Sequence, residues 1–372
     1  MKLLGSLSPA AFLQRHWHRT PLFVTGALPQ ADAIVDRAML FELATSGDVE
    51  SRLVMRRGRR WHLVHGPFRR RELARLPPRD WTLLVSGLNL HLPAARALLD
   101  RFRFIPYARQ DDVMASYAVP GGGVGPHFDS YDVFLLQGRG ERHWRVSAQR
   151  DLALVPDAPL RILKRFRAAQ AWTARAGDLL YLPPRYAHDG VARDECITLS
   201  VGFRAPSAQE LAGRFLEYLG EHLALEGMYA DPGLAPARGP GRIPGAMTAQ
   251  AARMLGRIRW SGADVTRFLG TYLTEPKAHV VFDPPPRPLS RARFAAALAR
   301  HGARLALKSQ MLYGGGEFFL NGERLAPRGA SAALMRGLAD RRALPPVRAP
   351  DAAARLLHDA YCAGFLELAH ER

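Results

Sequence analysis

The run Pro126-His127-Phe128-Asp129 sets a histidine and a carboxylate two residues apart. A further histidine, His188, follows the segment Gly177-Asp178-Leu179-Leu180-Tyr181-Leu182-Pro183-Pro184. Residues two apart on a strand project to one face, so His127 and Asp129 can grip a single ion together. A strand ending in a proline-rich turn can bring His188 beside them. Two histidines and one carboxylate on one face of an octahedron leave three positions open, the ligand set of non-haem Fe(II) oxygenases. Closed structural zinc sites lack that vacancy. 2-Oxoglutarate in two of the open positions and O2 in the third would complete the chemistry.

The far carboxylate of 2-oxoglutarate needs a cation, and arginine offers a two-pronged match. Arg142 is the candidate. Its strand-face companions in Arg142-His143-Trp144-Arg145-Val146 are Trp144 and Val146, so that face is expected to look inward, whereas Arg139, Arg145 and Arg150 read as surface charges. Ser116 can add a hydroxyl to the same carboxylate.

A bare His-x-Asp pair occurs often by chance, and other pairs compete. His16 and His18 sit in a helical pattern, where residues two apart diverge. His62 and His65 have odd spacing in a strand-like run. Asp132 is an odd number of residues from His127, so a regular strand would turn it away from the metal. Gly121-Gly122-Gly123-Val124-Gly125 lacks the Gly-Lys-Ser/Thr of a phosphate loop and reads as a flexible turn.

Short apolar runs dominate from about 51 to 203: 61–64, 81–85, 113–119, 133–136, 179–182 and 197–203, punctuated by glycine and proline. Such spacing predicts a β barrel or sandwich. Residues 8–18 read as a helix leading into a short strand at 21–24. Helical patterning fills 208–225 and 248–273, separated by a loop rich in proline and glycine. Asp283-Pro284-Pro285-Pro286-Arg287-Pro288 marks a linker. Beyond it come a helix over 290–300, strands over 303–325 with a hairpin signal at Asn321-Gly322, and helices over 331–340 and 351–370.

The run Ser-Tyr-Ala-Val-Pro-Gly-Gly-Gly-Val-Gly-Pro-His-Phe-Asp-Ser-Tyr-Asp-Val-Phe-Leu-Leu-Gln-Gly at 116–138 strongly resembles the bacterial ribosomal oxygenases of the JmjC/cupin group. So do Trp144-Arg145-Val146, the segment Ser200 to Pro206, and the opening Phe12 to Trp17 with Pro21-Leu22. The resemblance implies a mixed α and β chain in three parts. These are a double-stranded β-helix catalytic domain over 1–206, a helical dimerisation region over 207–282 and a winged-helix-like domain over 283–372. It implies hydroxylation at the β-carbon of an arginine in ribosomal protein sixteen of the bacterial large subunit, by a homodimer. It carries iron binding onto His127, Asp129 and His188, and 2-oxoglutarate binding onto Arg142 and Ser116. Where family members often have a further arginine, this chain has His143, which strand alternation turns outward. A target arginine needs acceptors, and Tyr131 and Asp112 are the candidates.

Composition bounds the alternatives. The chain has 372 residues, 48% of them hydrophobic, in keeping with globular folding in more than one domain. No apolar run suits a membrane span, and the one beginning at Leu3 stops too early for a secretory signal, so a cytoplasmic protein is expected. Two distant cysteines, Cys196 and Cys362, exclude a disulfide framework. The net charge of +18 rests almost wholly on arginine and suits an anionic partner such as nucleic acid, or simply a biased genome. The rival functions are the same oxygenase chemistry on another protein residue or a small molecule, a cupin metalloenzyme without 2-oxoglutarate, and a non-catalytic winged-helix protein that binds nucleic acid through 331–340 and the arginines after it.

Overall fold

The computed structural model describes residues 3–58 and 60–369. Met1 and Lys2 of the opening, and His370 at the end of the expected last helix, lie outside the described residues.

The N-terminal half carries helices α1 (Pro9–Arg15), α2 (Arg37–Leu43), α3 (Arg70–Ala74) and α4 (Pro93–Asp100). Its strands are β1 (Leu22–Val24), β2 (Ser51–Arg57), β3 (Arg60–His65), β4 (Trp81–Val85), β5 (Gln110–Ala118) and β6 (Val133–Arg139). There follow β7 (Arg142–Ser147), β8 (Gln170–Ala174), β9 (Leu179–Leu182), β10 (Ala187–Ala192) and β11 (Cys196–Phe203). They form an antiparallel sheet in the order β1-β9-β6-β11-β5-β4-β2-β3 and a smaller one, β10-β7-β8. Every apolar run expected to be a strand is one.

The period of two along the central strands explains both faces of the large sheet. Ile197, Leu199, Val201 and Phe203 of β11, with Val113, Ala115 and Tyr117 of β5, join Phe12 of α1, Leu98 of α4 and Phe102 in the turn after α4 in the main core. The alternate residues Thr198, Ser200, Gly202, Asp112, Met114 and Ser116 line a cavity opposite the smaller sheet. Asp132 obeys the same parity. It turns to the helical side, where it accepts a hydrogen bond from the Tyr181 hydroxyl and lies 3.3 Å from His18 Nε2. His18 is not helical as expected: α1 stops at Arg15, and His18 takes φ 57° in the loop that docks on Asp132.

The glycine turn before His127 is packed rather than flexible. A Cβ on Gly122 would stand 2.2 Å from the Trp81 carbonyl oxygen, and one on Gly123 2.6 Å from that of Gly190. Glycine here permits close backbone approach, not freedom.

The second half contains α5 (Ala208–His222), α6 (Gly245–Leu255), α7 (Gly262–Thr274), α8 (Arg291–His301), α9 (Gly329–Arg341) and α10 (Asp351–Cys362). Its strands are β12 (Ala303–Leu305), β13 (Met311–Gly314), β14 (Glu317–Leu320), β15 (Glu323–Leu325), β16 (Ala343–Leu344) and β17 (Leu366–Leu368). The single helix expected over 248–273 is two. The first closes at Gly256, and a capping box between Ser261 and Asp264 opens the second. The last helix ends at Cys362 rather than near 370. Gly364 takes φ 75° and the Phe365 N–H donates to the Ala360 carbonyl, a glycine-based stop that turns the chain into β17. Asn321 and Gly322 make the expected hairpin, both with positive φ. Among the described residues, no helix is long and apolar enough to cross a membrane.

Candidate metal and cosubstrate site

The segment from Pro126 to Asp132 is not a regular strand, so the parity that pairs His127 with Asp129 is achieved differently. His127 forms an isolated antiparallel bridge with His188. Its N–H donates to the His188 carbonyl at 2.9 Å, and the return bond is 2.8 Å. The Arg185 N–H donates to the Asp129 carbonyl at 2.7 Å, fixing the third residue to the same turn. Ligand atoms of His127, Asp129 and His188 all lie within 4.8 Å of one another, and His188 Nε2 is 3.7 Å from Asp129 Oδ2.

Each histidine is held through its other nitrogen. His127 Nδ1 lies 2.9 Å from the Gly125 carbonyl oxygen, and His188 Nδ1 lies 2.9 Å from that of Tyr186. A carbonyl only accepts, so Nδ1 carries the proton and Nε2 offers its lone pair to the ion position. Burial first, and neighbouring His127 second, push the His188 pKa down to about 4, which keeps this imidazole neutral. On chemistry and spacing the three residues fit a divalent ion with open positions.

The three share a cavity of about 350 Å³ with Arg142, Ser116, Tyr131 and Asp112. Arg142 is 4% exposed, as its strand-face companions Trp144 and Val146 led one to expect. Its neighbours are the Cys196 sulfur, 3.7 Å from Nη2, and the Trp144 ring, 5.7 Å from the guanidinium carbon. Its Nε and the Ser116 hydroxyl have no hydrogen-bond partner among the described residues. Buried polar atoms are nearly always satisfied, so these orphans fit an anionic ligand reaching the inner end of the cavity. Thr198, across the strand from Ser116, also lines it, but its hydroxyl donates to Gln137 Oε1 at 2.9 Å. Ser116 is therefore the hydroxyl free to donate. The sequence reading missed Thr198 and Cys196, although the alternation of β11 places Thr198 beside Ser116.

At the mouth, Asp112 Oδ2 accepts from the Gly87 N–H at 2.8 Å. Burial first and Asp111 second raise its carboxyl above the usual range. Burial also raises the Tyr131 phenol, which stays protonated. Glu50, Asp111 and Asp129 add carboxylates around the opening, against Arg52, Arg161 and Lys277. His143 lies outside the cavity with Nδ1 3.2 Å from the Thr173 hydroxyl, and Arg145 pairs with buried Asp189.

Residues 97–211 match the JmjC domain, and residues 257–366 match the ROXA-like winged helix. The ribosomal protein uL16 3-hydroxylase of Escherichia coli K12 is 33% identical over 318 residues, covering 84% of each chain. The chain belongs to the JmjC-type ribosomal oxygenases. Among solved members, the E. coli YcfD structure superposes with a TM-score of 0.84 at 28% identity, over 99% of this chain and 100% of that one. A second YcfD structure, in complex with cobalt and 2-oxoglutarate, gives 0.82 at 28% identity, over 97% and 98%.

Proposed function

We propose that this ribosomal oxygenase is an Fe(II)- and 2-oxoglutarate-dependent protein hydroxylase. Its proposed target is the β-carbon of an arginine in ribosomal protein sixteen (uL16) of the bacterial large subunit. The observation that carries the reading is the buried Arg142, which has no carboxylate partner among the described residues and shares one cavity with the clustered His127, Asp129 and His188. The E. coli relative's name supports the ribosomal target.

His127, Asp129 and His188 would hold the iron, and Arg142 with Ser116 would take the far carboxylate of 2-oxoglutarate. When bound, iron, cosubstrate and O2 supply the oxidant for a carbon–hydrogen bond. The chain's own residues position and shield. Trp144, Val133 and Leu135 wall the cavity with apolar surface that limits water around the reacting centre. Asp112 and Tyr131, with Asp111 and Glu50 nearby, offer acceptors to a guanidinium at the mouth, and so aim the target carbon inward. No general base is needed.

Residues 1–206 would be the catalytic unit and 283–372 the winged-helix unit. Residues 207–282 would form a homodimer interface, because Leu216 and Leu255, each 65% exposed, leave apolar faces open there. A ribosomal substrate would place the protein in the cytoplasm. The non-catalytic winged-helix reading loses one of its arginines, since Arg342 is buried and donates to the Ala306 carbonyl at 3.0 Å, while Arg336 and Arg341 stay exposed.

Anaerobic loading with Fe(II) and 2-oxoglutarate, followed by O2 and purified ribosomal proteins, tests metal, cosubstrate and target together. Mass spectrometry should find one added oxygen on a uL16 arginine, together with succinate. Asp129→Ala should abolish both, and normal succinate production by that variant would refute the assignment of the site.

A further inference from the structure

Between residues 52 and 79 the sequence holds ten arginines and one acid, Glu72. That surplus of nine is half of the chain's net +18, concentrated in 28 residues. A genome-wide bias toward arginine would spread the charge evenly, so this segment calls for its own explanation.

Arg59 lies outside the described residues; the fold puts the others on the rim of the catalytic unit. The β2–β3 hairpin ends the large sheet, with β3 as its edge strand. Arg56, Arg57 and Arg60 at its tip are exposed, as are Arg69, Arg70, Arg71, Arg75 and Arg79 in and around α3. Arg79 adjoins the tip because the Arg56 N–H donates to the Asp80 carbonyl at 2.9 Å. Arg70 lies 3.6 Å from Glu42, a pair open to solvent and therefore weak. Glu72 caps α3 by accepting from the Arg69 N–H. Among the described residues, no carboxylate stands within ion-pair distance of Arg57, Arg60, Arg69, Arg71, Arg75 or Arg79.

Aromatic rings are interleaved with this charge. Trp61 lies under the Arg56 guanidinium, 5.8 Å from its carbon, and His62 and His65 are exposed on the same strand. Trp61 also abuts the turn two residues before His127, since a Cβ on Gly125 would lie 2.9 Å from its ring. The inner face of the sheet continues outward from Ser116 through Leu84 and Arg52 to His65 by cross-strand pairing. A basic and aromatic ledge thus begins where the cavity mouth ends.

We propose that this ledge, the β2–β3 hairpin with α3, binds the phosphate backbone of RNA beside the active-site mouth. Unpaired arginines suit phosphates, and interleaved rings suit bases, the combination used by single-strand binders. An anionic membrane is the less suitable partner, because the ledge carries no amphipathic helix to insert. The charge argument stands apart from the oxygenase reading.

The test is fluorescence anisotropy of the full chain with a labelled 20-nucleotide single-stranded RNA across a salt series. Arg57→Glu, Arg60→Glu and Arg71→Glu together should weaken binding at least about tenfold near 0.1 M salt and flatten the salt slope, which is roughly 0.7 per phosphate contact. The same number of reversals in the winged-helix unit, at Arg293, Arg348 and Arg355, should leave binding within about twofold. The glutamine triple at 57, 60 and 71 serves if the reversals fail to fold, and 2-oxoglutarate turnover without RNA should be unaltered in it. Equal losses in both sets, no loss in either, or tighter binding to phosphatidylglycerol vesicles than to RNA would each overturn the proposal. Loss of hydroxylase activity in the wild type with RNA binding intact would instead count against the proposed function.

Discussion

Arg142→Met should produce two effects of opposite sign. The guanidinium is 4% exposed and faces a sulfur and an indole rather than a carboxylate. Without cosubstrate it is a buried charge lacking its partner, and replacing such a charge with an apolar side chain of similar length is neutral or stabilising by roughly 1–4 kcal/mol. The unliganded variant should melt no lower than the wild type, with any gain on the order of 2–4 °C per kcal/mol. With cosubstrate the sign reverses. Leaving a buried carboxylate opposite methionine costs about 3–5 kcal/mol, so the affinity for 2-oxoglutarate should fall by roughly 10²–10³-fold or more. Calorimetric titration of 2-oxoglutarate into anaerobic Mn(II)-loaded protein, paired with melting curves with and without it, reads both effects. A variant that keeps affinity within about threefold of wild type, or that loses stability before any ligand is added, would refute the view of Arg142 as an anion site awaiting its anion.

Asp112→Asn should stabilise the unliganded protein progressively above about pH 4. Burial raises the wild-type folded pKa, so the folded state holds its proton longer than the unfolded one, and wild-type stability falls as pH rises through that window. Chemical unfolding at several pH values should show the gap widening with pH, while KM for an arginine peptide rises. Gly122→Ala forces a methyl group against the Trp81 and Val119 carbonyls and should cost about 1–3 kcal/mol, read as a lower melting temperature with weaker metal retention. Leu216→Asp with Leu255→Asp should convert a dimer to a monomer in light scattering; an unchanged mass would remove residues 207–282 from the interface.

Strands β5, β6 and β11 were legible because they alternate between a helical core and a cavity, and period two survives in the sequence. Arg142 was legible for the same reason: a charge in register with Trp144 and Val146 has nowhere to point but inward. His127 and Asp129 do come together, but not by the strand alternation that the spacing suggested, since a single bridge leaves no periodic trace. The packed glycine turn was misread because a residue without a side chain looks the same whether it grants freedom or permits contact. The break at Gly256 and the stop at Gly364 were missed because apolar spacing continues across both, and only the caps mark them.

The bridge between His127 and His188 settles where tolerance to change can lie. Its two bonds run from main chain to main chain, and each ring is oriented by a carbonyl of its own loop. No side chain of β5, β6 or β11 takes part in these bonds. Substitutions along β5, β6 and β11 can therefore recut the chamber, altering which residue or molecule is admitted, while the spacing of the two imidazoles stays as it is. The centre behaves as a fixed socket, and the surrounding strands as interchangeable walls.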